Sequence, residues 1–323
     1  MDADTGTLIP NNQRNSLVAW FNLYMGIEAG EPQSNTFKAK QGDLSRFVNY
    51  FRDVSGSDNP DQWTRSVSQS FMKHLLRTKS ERTGRKLAPT TVNRALATLR
   101  NAARWIHHQR PFLAGYPMDR ISDVNTPEPE WKGVSDVDVT QLKSAAEQLV
   151  EMSKRSDQTA VRDQAMLLVM LDTALRVSEL ISLDVDQYAG KHFHNVKRQG
   201  DNVTDRVFIG QTGREALDRY VIDVRGREDG PLFQSKRGKR LAPQNVADAL
   251  NRIVEQANTR LSKDEKIELT PHVLRHTALR KMAEKKGIRY AQQMAGHAST
   301  KYIWRYVQPS RAEMEDAIDD LFD

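Results

Sequence analysis

The sequence predicts a mainly α-helical protein, with an N-terminal helical bundle followed by a second, mainly helical domain that carries a small antiparallel β-sheet. Three observations carry this prediction. Apolar residues recur at helical spacing early in the chain, as Leu44, Phe47, Val48 and Phe51, then Val67, Phe71 and Leu75, then Val92, Leu96, Leu99, Ala103 and Ile106. A polar run over residues 123–130 contains Pro127 and Pro129, disfavours both helix and sheet, and marks a linker. Further on, residues 193–197 and 203–209 read as strands flanking Arg198-Gln199-Gly200-Asp201-Asn202, whose glycine and asparagine suit a hairpin turn.

Taken in order, residues 1–33 form an extension in which Leu17, Trp20, Phe21, Tyr24 and Met25 predict an amphipathic helix, more often a packing element than a partner site. Residues 34–121 form the helical bundle, with Pro89-Thr90 opening one of its helices. The linker covers 122–134 and the second domain 135–311. That domain opens on a strongly apolar helix over 160–175, passes through the hairpin, and continues with helices over 243–259 and 271–286 before shorter ones. Thr270 supplies an N-cap hydroxyl before Pro271 at the first helical position, and Gly287 is a natural stop. Residues 312–323 predict an amphipathic tail: Met314, Ala317, Ile318, Leu321 and Phe322 share one stripe, with Glu313, Glu315, Asp316, Asp319, Asp320 and Asp323 on the other faces.

Composition removes several function classes. The chain of 323 residues has no apolar run of membrane-spanning length, and Met1-Asp2-Ala3-Asp4 does not begin a secretory leader. With no cysteine there is no disulfide, thiolate metal site or cysteine nucleophile, which fits a cytoplasmic location. A net charge of +6 favours a polyanionic partner. The distribution is more telling, because from Lys73 to Arg110 ten Lys and Arg residues face the single acid Glu81, for a net +9. Arg77, Lys79, Arg82, Arg85, Lys86, Arg94, Arg100 and Arg104 are the candidate contacts to DNA phosphates, with Arg100 and Arg104 one turn apart on a helix. A solvated basic face with a mobile loop is the plainer reading.

The last fifth of the chain carries the chemistry. His272, Arg275, His276 and Leu279 stand at i, i+3, i+4 and i+7, so two imidazoles and a guanidinium share one face near a helix N-terminus, where unpaired N–H groups favour a phosphate. His297 follows Gly296, and Tyr306 comes nine residues later. These groups suit a phosphodiester: a guanidinium neutralises the anion, an acid protonates the departing oxygen, and a tyrosine holds the phosphate covalently. The i, i+4 histidines could share a zinc, yet neither a neighbouring glutamate nor a cysteine completes such a site, and backbone-bonded structural histidines are the bland alternative.

Ala174-Leu175-Arg176-Val177-Ser178-Glu179-Leu180, His272-Val273-Leu274-Arg275-His276, Gly296-His297 and Arg305-Tyr306-Val307 together resemble the catalytic signature of the tyrosine (phage-integrase-type) recombinases. The resemblance covers the second domain and, more loosely, the first, which is similar to the family's core-binding domain. It implies that Arg176 and Arg275 clamp the scissile phosphate, that His272 and His297 donate hydrogen bonds to it, and that Tyr306 attacks to give a 3′-phosphotyrosyl link. Glu179 and His276 are implied supports. A structural Arg176–Glu179 salt bridge is the alternative for that pair. Lys197, just before the turn, matches the lysine that protonates the leaving 5′-oxygen, with Lys191 and Arg198 as competitors. Tyr302 competes with Tyr306, and the segment 298–305 lacks the family's paired threonines.

The resemblance implies no cofactor, neither ATP nor a metal. It also implies double-stranded DNA with a specific recombination site as partner, and a homotetramer on two such sites exchanging strands through a Holliday junction, with the two domains clamping the duplex. An accessory protein or second recombinase stays open, as does docking of the tail on a neighbour or back on its own chain. A nucleoid-associated, cytoplasmic protein with no membrane partner is expected. The alternatives are a topoisomerase or telomere resolvase using the same chemistry, a sequence-specific DNA-binding protein without catalysis, and a metal-dependent nuclease.

Overall fold

The computed structural model describes residues 14–28, 30–81, 83–126, 133–153, 159–198, 202–296 and 311–319. The chain divides into two compact units at residues 128 and 129. Among the described residues no helix is long and apolar enough to cross a membrane.

The first unit is built from α1 (Leu17–Glu28), α2 (Asn35–Ser55), α3 (Arg65–Arg77) and α4 (Pro89–Gln109). Local chemistry sets their starts: the Ser34 side chain accepts from the Phe37 N–H, and Thr64 accepts from that of Val67. The apolar stripes read from the sequence converge on an aromatic core in which the Phe47 ring lies 4.7 Å from Trp63 and 5.0 Å from Phe71. Helix α1 belongs to this core, with Leu17, Trp20, Phe21, Tyr24 and Met25 all buried. The basic stretch between α3 and α4 is a tied turn rather than a free loop: Ser80 N–H donates to the Arg85 carbonyl, Leu87 N–H to that of Thr78, and Lys79 pairs with Lys86 as an antiparallel bridge.

The second unit contains α5 (Asp136–Met152), α6 (Thr159–Thr173), α7 (Val177–Ser182), β1 (His192–Lys197), β2 (Val203–Phe208), α8 (Gln211–Tyr220), α9 (Pro243–Ala257), α10 (Pro271–Lys286), α11 (Ile288–Ala295) and α12 (Arg311–Asp319). Helix α6 is its axis. Its residues 162–170 are all buried, so it shows almost no amphipathic contrast. Around it pack α5, α8, α9 and α10. Capping again explains boundaries: Ser135 and Asp138 form a reciprocal capping box at the start of α5, and Thr270 accepts from the Val273 N–H before Pro271 at the start of α10. The two strands pair antiparallel, with Val196 opposite Thr204 and Lys197 opposite Val203, and the Arg198 N–H donates to the Asn202 carbonyl at 2.7 Å.

The structure differs from the sequence reading in three places. Helix α6 ends at Thr173 rather than 175, because Ala174 takes a left-handed conformation with φ 49°. Helix α9 gives way at Asn258 to a 3-10 turn, Asn258–Arg260. Helices α5, α7 and α8 are additions that the apolar periodicity did not single out.

Candidate active site

The site is organised around one carboxylate. Glu179, on the first turn of α7, is 3% exposed. It accepts from the Arg176 backbone N–H at 2.9 Å and from Arg176 Nη1 at 2.7 Å. Arg198 Nη1 reaches it at 2.8 Å, and Arg275 Nη1 lies 3.9 Å away. Burial acts to raise the Glu179 pKa, but the Arg176 N–H and the Arg198 and Arg176 guanidiniums outweigh it and hold the carboxyl below its ordinary range. The Arg176–Glu179 salt bridge, the structural alternative for that pair, is present, and the Arg176 side chain keeps 29% exposure.

Arg275 is buried on α10 at 3% exposure. Its Nη1 donates to the Ala174 carbonyl and its Nη2 to that of Ala295 at 3.0 Å, tying α10 to the α6–α7 turn and to the end of α11. The Ala174 carbonyl is presented by the left-handed backbone noted above. Such a conformation costs a non-glycine residue on the order of 1 kcal/mol. Ala174 is fully buried in a small apolar cluster with Ala278, Leu279, Ala291 and Ala295.

His272 and His276 meet ring to ring, with Nε2 to Nε2 at 2.8 Å and centroids 4.2 Å apart. One ring must donate and the other accept, so at least one is neutral. Burial, then Arg275 and Arg176, lower the His272 pKa. Burial, then His272 and Arg275, lower that of His276 to about 4.

The sign of the pH effect follows. An unfolded histidine titrates near ~6.5, so between there and about 4 the unfolded state binds the extra proton, and stability falls as pH is lowered through that window. Thermal melts at pH 7.5, 6, 5 and 4.5 are expected to show wild-type destabilisation on acidification that is smaller in His276→Gln; parallel curves would refute the assignment.

The hairpin brings Lys197 to its end. Lys197 is exposed, and among the described residues its ammonium has no hydrogen-bond or ion-pair partner. Lys191, one competitor, precedes the opposite end of β1. Arg198, the other, is buried and bonded through its guanidinium. His297, Tyr302 and Tyr306 lie outside the described residues, as does Arg82.

Of the candidate phosphate contacts, Arg77, Lys79, Arg85, Lys86, Arg94 and Arg104 are exposed and Arg100 is half-buried. Three of them also work within the fold: Arg94 Nη1 bonds the buried Asp43 at 2.6 Å, Arg100 Nη2 bonds Asp123 and the Ile121 carbonyl, each at 3.0 Å, and the Arg104 side chain is hydrogen-bonded to Tyr116. On the tail helix α12, Met314 and Ile318 are exposed.

Sequence reasoning missed the structural role of Arg198 and the strained Ala174. Strand alternation carried a signal for the first, since Val196 in, Lys197 out and Arg198 in is the period-two pattern. No residue type announces the second.

Comparison with known proteins decides which family uses this arrangement. The pattern of the phage integrase family matches residues 142–313, more than half of the chain, beginning within α5 and ending within α12. The chain belongs to the phage integrase family. It is an enzyme of site-specific recombination that breaks and rejoins DNA. Similar curated relatives include tyrosine recombinase XerD of Listeria monocytogenes serotype 4b (strain F2365), 26% identical over 318 residues that cover 94% of this chain and 97% of the relative. Another is tyrosine recombinase XerC of Thermodesulfovibrio yellowstonii, 29% identical over 299 residues, covering 88% of this chain and 89% of the relative. Among solved structures, a lambda integrase (75–356) dimer bound to a COC′ core site aligns with TM-score 0.68 at 15% identity, covering 91% of this chain and 95% of that one. XerH bound to a palindromic difH substrate aligns with TM-score 0.66 at 16% identity, covering 89% and 80%. At these identities the structural likeness speaks for the fold.

Proposed function

We propose that this recombinase attacks the scissile phosphate with Tyr306 while Arg176 and Arg275 hold its non-bridging oxygens, His272 and His297 donate to it, and Lys197 protonates the departing 5′-oxygen. The observation that carries this reading is the convergence of Arg176 and Arg275 on buried Glu179, beside a hairpin strand that ends in the exposed Lys197. Two fixed guanidiniums suit the charge that grows on a pentacoordinate phosphorus. The Tyr306 oxygen forms a bond to phosphorus as the bond to the 5′-oxygen breaks; that oxygen takes a proton, and reversal with a new 5′-hydroxyl rejoins the strand. One phosphoester replaces another of similar energy, so the exchange calls for no ATP.

The partner is double-stranded DNA carrying a specific site, contacted through the first unit by Arg77, Lys79, Arg82, Arg85, Lys86, Arg94, Arg100 and Arg104. Four copies act on two duplexes, with the exposed Met314 and Ile318 of α12 meeting a neighbour. The lambda integrase and XerH structures, each bound to a DNA site, support the DNA partner.

The deciding experiment presents nicked suicide duplexes, tiled from DNA flanking the gene, to wild type and to Tyr306→Phe in excess chelator. Wild type is expected to form a denaturant-resistant adduct that maps to Tyr306 by peptide mass, with the variant reduced by at least about 10⁴-fold. Specific binding without an adduct in either protein would favour a non-catalytic binder, and an adduct surviving in Tyr306→Phe would move the nucleophile to Tyr302. The mass of the complex formed with two duplexes tests the tetramer.

A further inference from the structure

We infer that Arg198 is a positioning residue that fastens the tip of the β1–β2 hairpin to the arginine clamp and so holds Lys197 where it can protonate the leaving group. The inference rests on the reading of Lys197 as the general acid. Arg198 directly follows Lys197, and its side chain is 2% exposed. Its Nη1 donates to Glu179 Oε2 at 2.8 Å, its Nε to Thr204 Oγ1 on β2 at 3.1 Å, and its Nη2 to the Met294 carbonyl on α11 at 3.5 Å. It also lies flat on Gly296, where an added Cβ would fall 2.9 Å from Arg198 Nε. One side chain thus joins both strands of the hairpin, the carboxylate that orients Arg176, and the last turn of α11.

The physics asks for such a tie. A two-stranded hairpin is marginally stable by itself, and a lysine at its tip adds four freely rotating bonds. Alternation along the strand turns Val196 and Arg198 inward and leaves Lys197 outward, so the anchor and the proton donor are neighbours on opposite faces. Its guanidinium is engaged on Glu179, Thr204 and Met294, so it ties the hairpin to three separate elements of the second unit.

The test uses full-length protein and the nicked duplex that forms the wild-type adduct, made once with the ordinary 5′-oxygen and once with sulfur at that bridging position. A 5′-thiolate leaves without a proton, so a defect confined to proton delivery disappears on the sulfur substrate. Arg198→Ala is expected to slow adduct formation by about 100-fold on the oxygen substrate and to return within about threefold of wild type on the sulfur one, with Arg198→Lys intermediate. Melting curves and DNA binding are recorded for each variant, and Arg198→Lys carries the decision if Arg198→Ala does not fold.

Equal slowing on both substrates, or no slowing on either, would overturn the inference. Lys197→Ala separates the two levels. If it too fails to recover on sulfur, the general-acid reading falls and takes this inference with it; if it recovers while the Arg198 variants do not, only the inference falls.

Discussion

Glu179→Ala is expected to lower the unfolding free energy by about 3–5 kcal/mol and to slow adduct formation at least about 10²-fold. The carboxylate is 3% exposed and faces Arg176, Arg198 and Arg275, so its removal leaves three guanidiniums close together with no counter-charge. Arg198 and Arg275 are themselves buried and cannot turn to solvent for compensation. Arg176 has a second dependence, because its backbone N–H is held by the same carboxylate at the start of α7. Glu179→Gln should fall between, since an amide keeps one acceptor but points an N–H₂ group at a cation. Urea unfolding gives the stability change and single-turnover cleavage the rate. A Glu179→Ala protein within about 1 kcal/mol of wild type would show that the three arginines do not depend on it.

Arg275→Lys is expected to reduce cleavage by about 10²–10³-fold while DNA binding changes little. The substitution keeps the charge but loses the fork. Arg275 spends Nη1 on the Ala174 carbonyl and Nη2 on that of Ala295, and it also faces Glu179, a set of directions that one ammonium cannot match. The carbonyl left unpaired is buried and costs about 1–3 kcal/mol, so a fall in the melting temperature should accompany the loss of rate. Cleavage within tenfold of wild type would mean that Arg275 supplies charge alone and that its geometry is immaterial.

These expectations differ in origin. The pairing of Arg275 with His272 and His276 could be read from their i, i+3, i+4 spacing, because helix geometry converts sequence distance directly into a shared face. The same holds for the cap at Thr270, the apolar stripes of α2, α3 and α4, and the antiparallel pairing of β1 with β2. Each is a local rule acting over a few residues. Arg176 and Glu179 also stand within one turn, so their salt bridge was visible as an option. That Glu179 would gather two further arginines, 19 residues and nearly a hundred residues away, was not.

By itself the sequence determined the helical class, the two-part organisation, the basic stretch and the residue types from which a phosphodiester site is made. These follow from periodicity, capping and side-chain chemistry, which depend on neighbours along the chain. Only the tertiary structure decided which of those residues meet. It placed Ala174 in a left-handed turn whose carbonyl Arg275 needs, set His272 and His276 in direct contact, and buried Arg198 while leaving Lys197 in solvent. The last choice shows the reason most plainly. A one-residue shift in strand register exchanges the inward and outward faces, and register is fixed by the core against which the hairpin packs, through Phe193, Val196 and Val207, rather than by the two cations themselves.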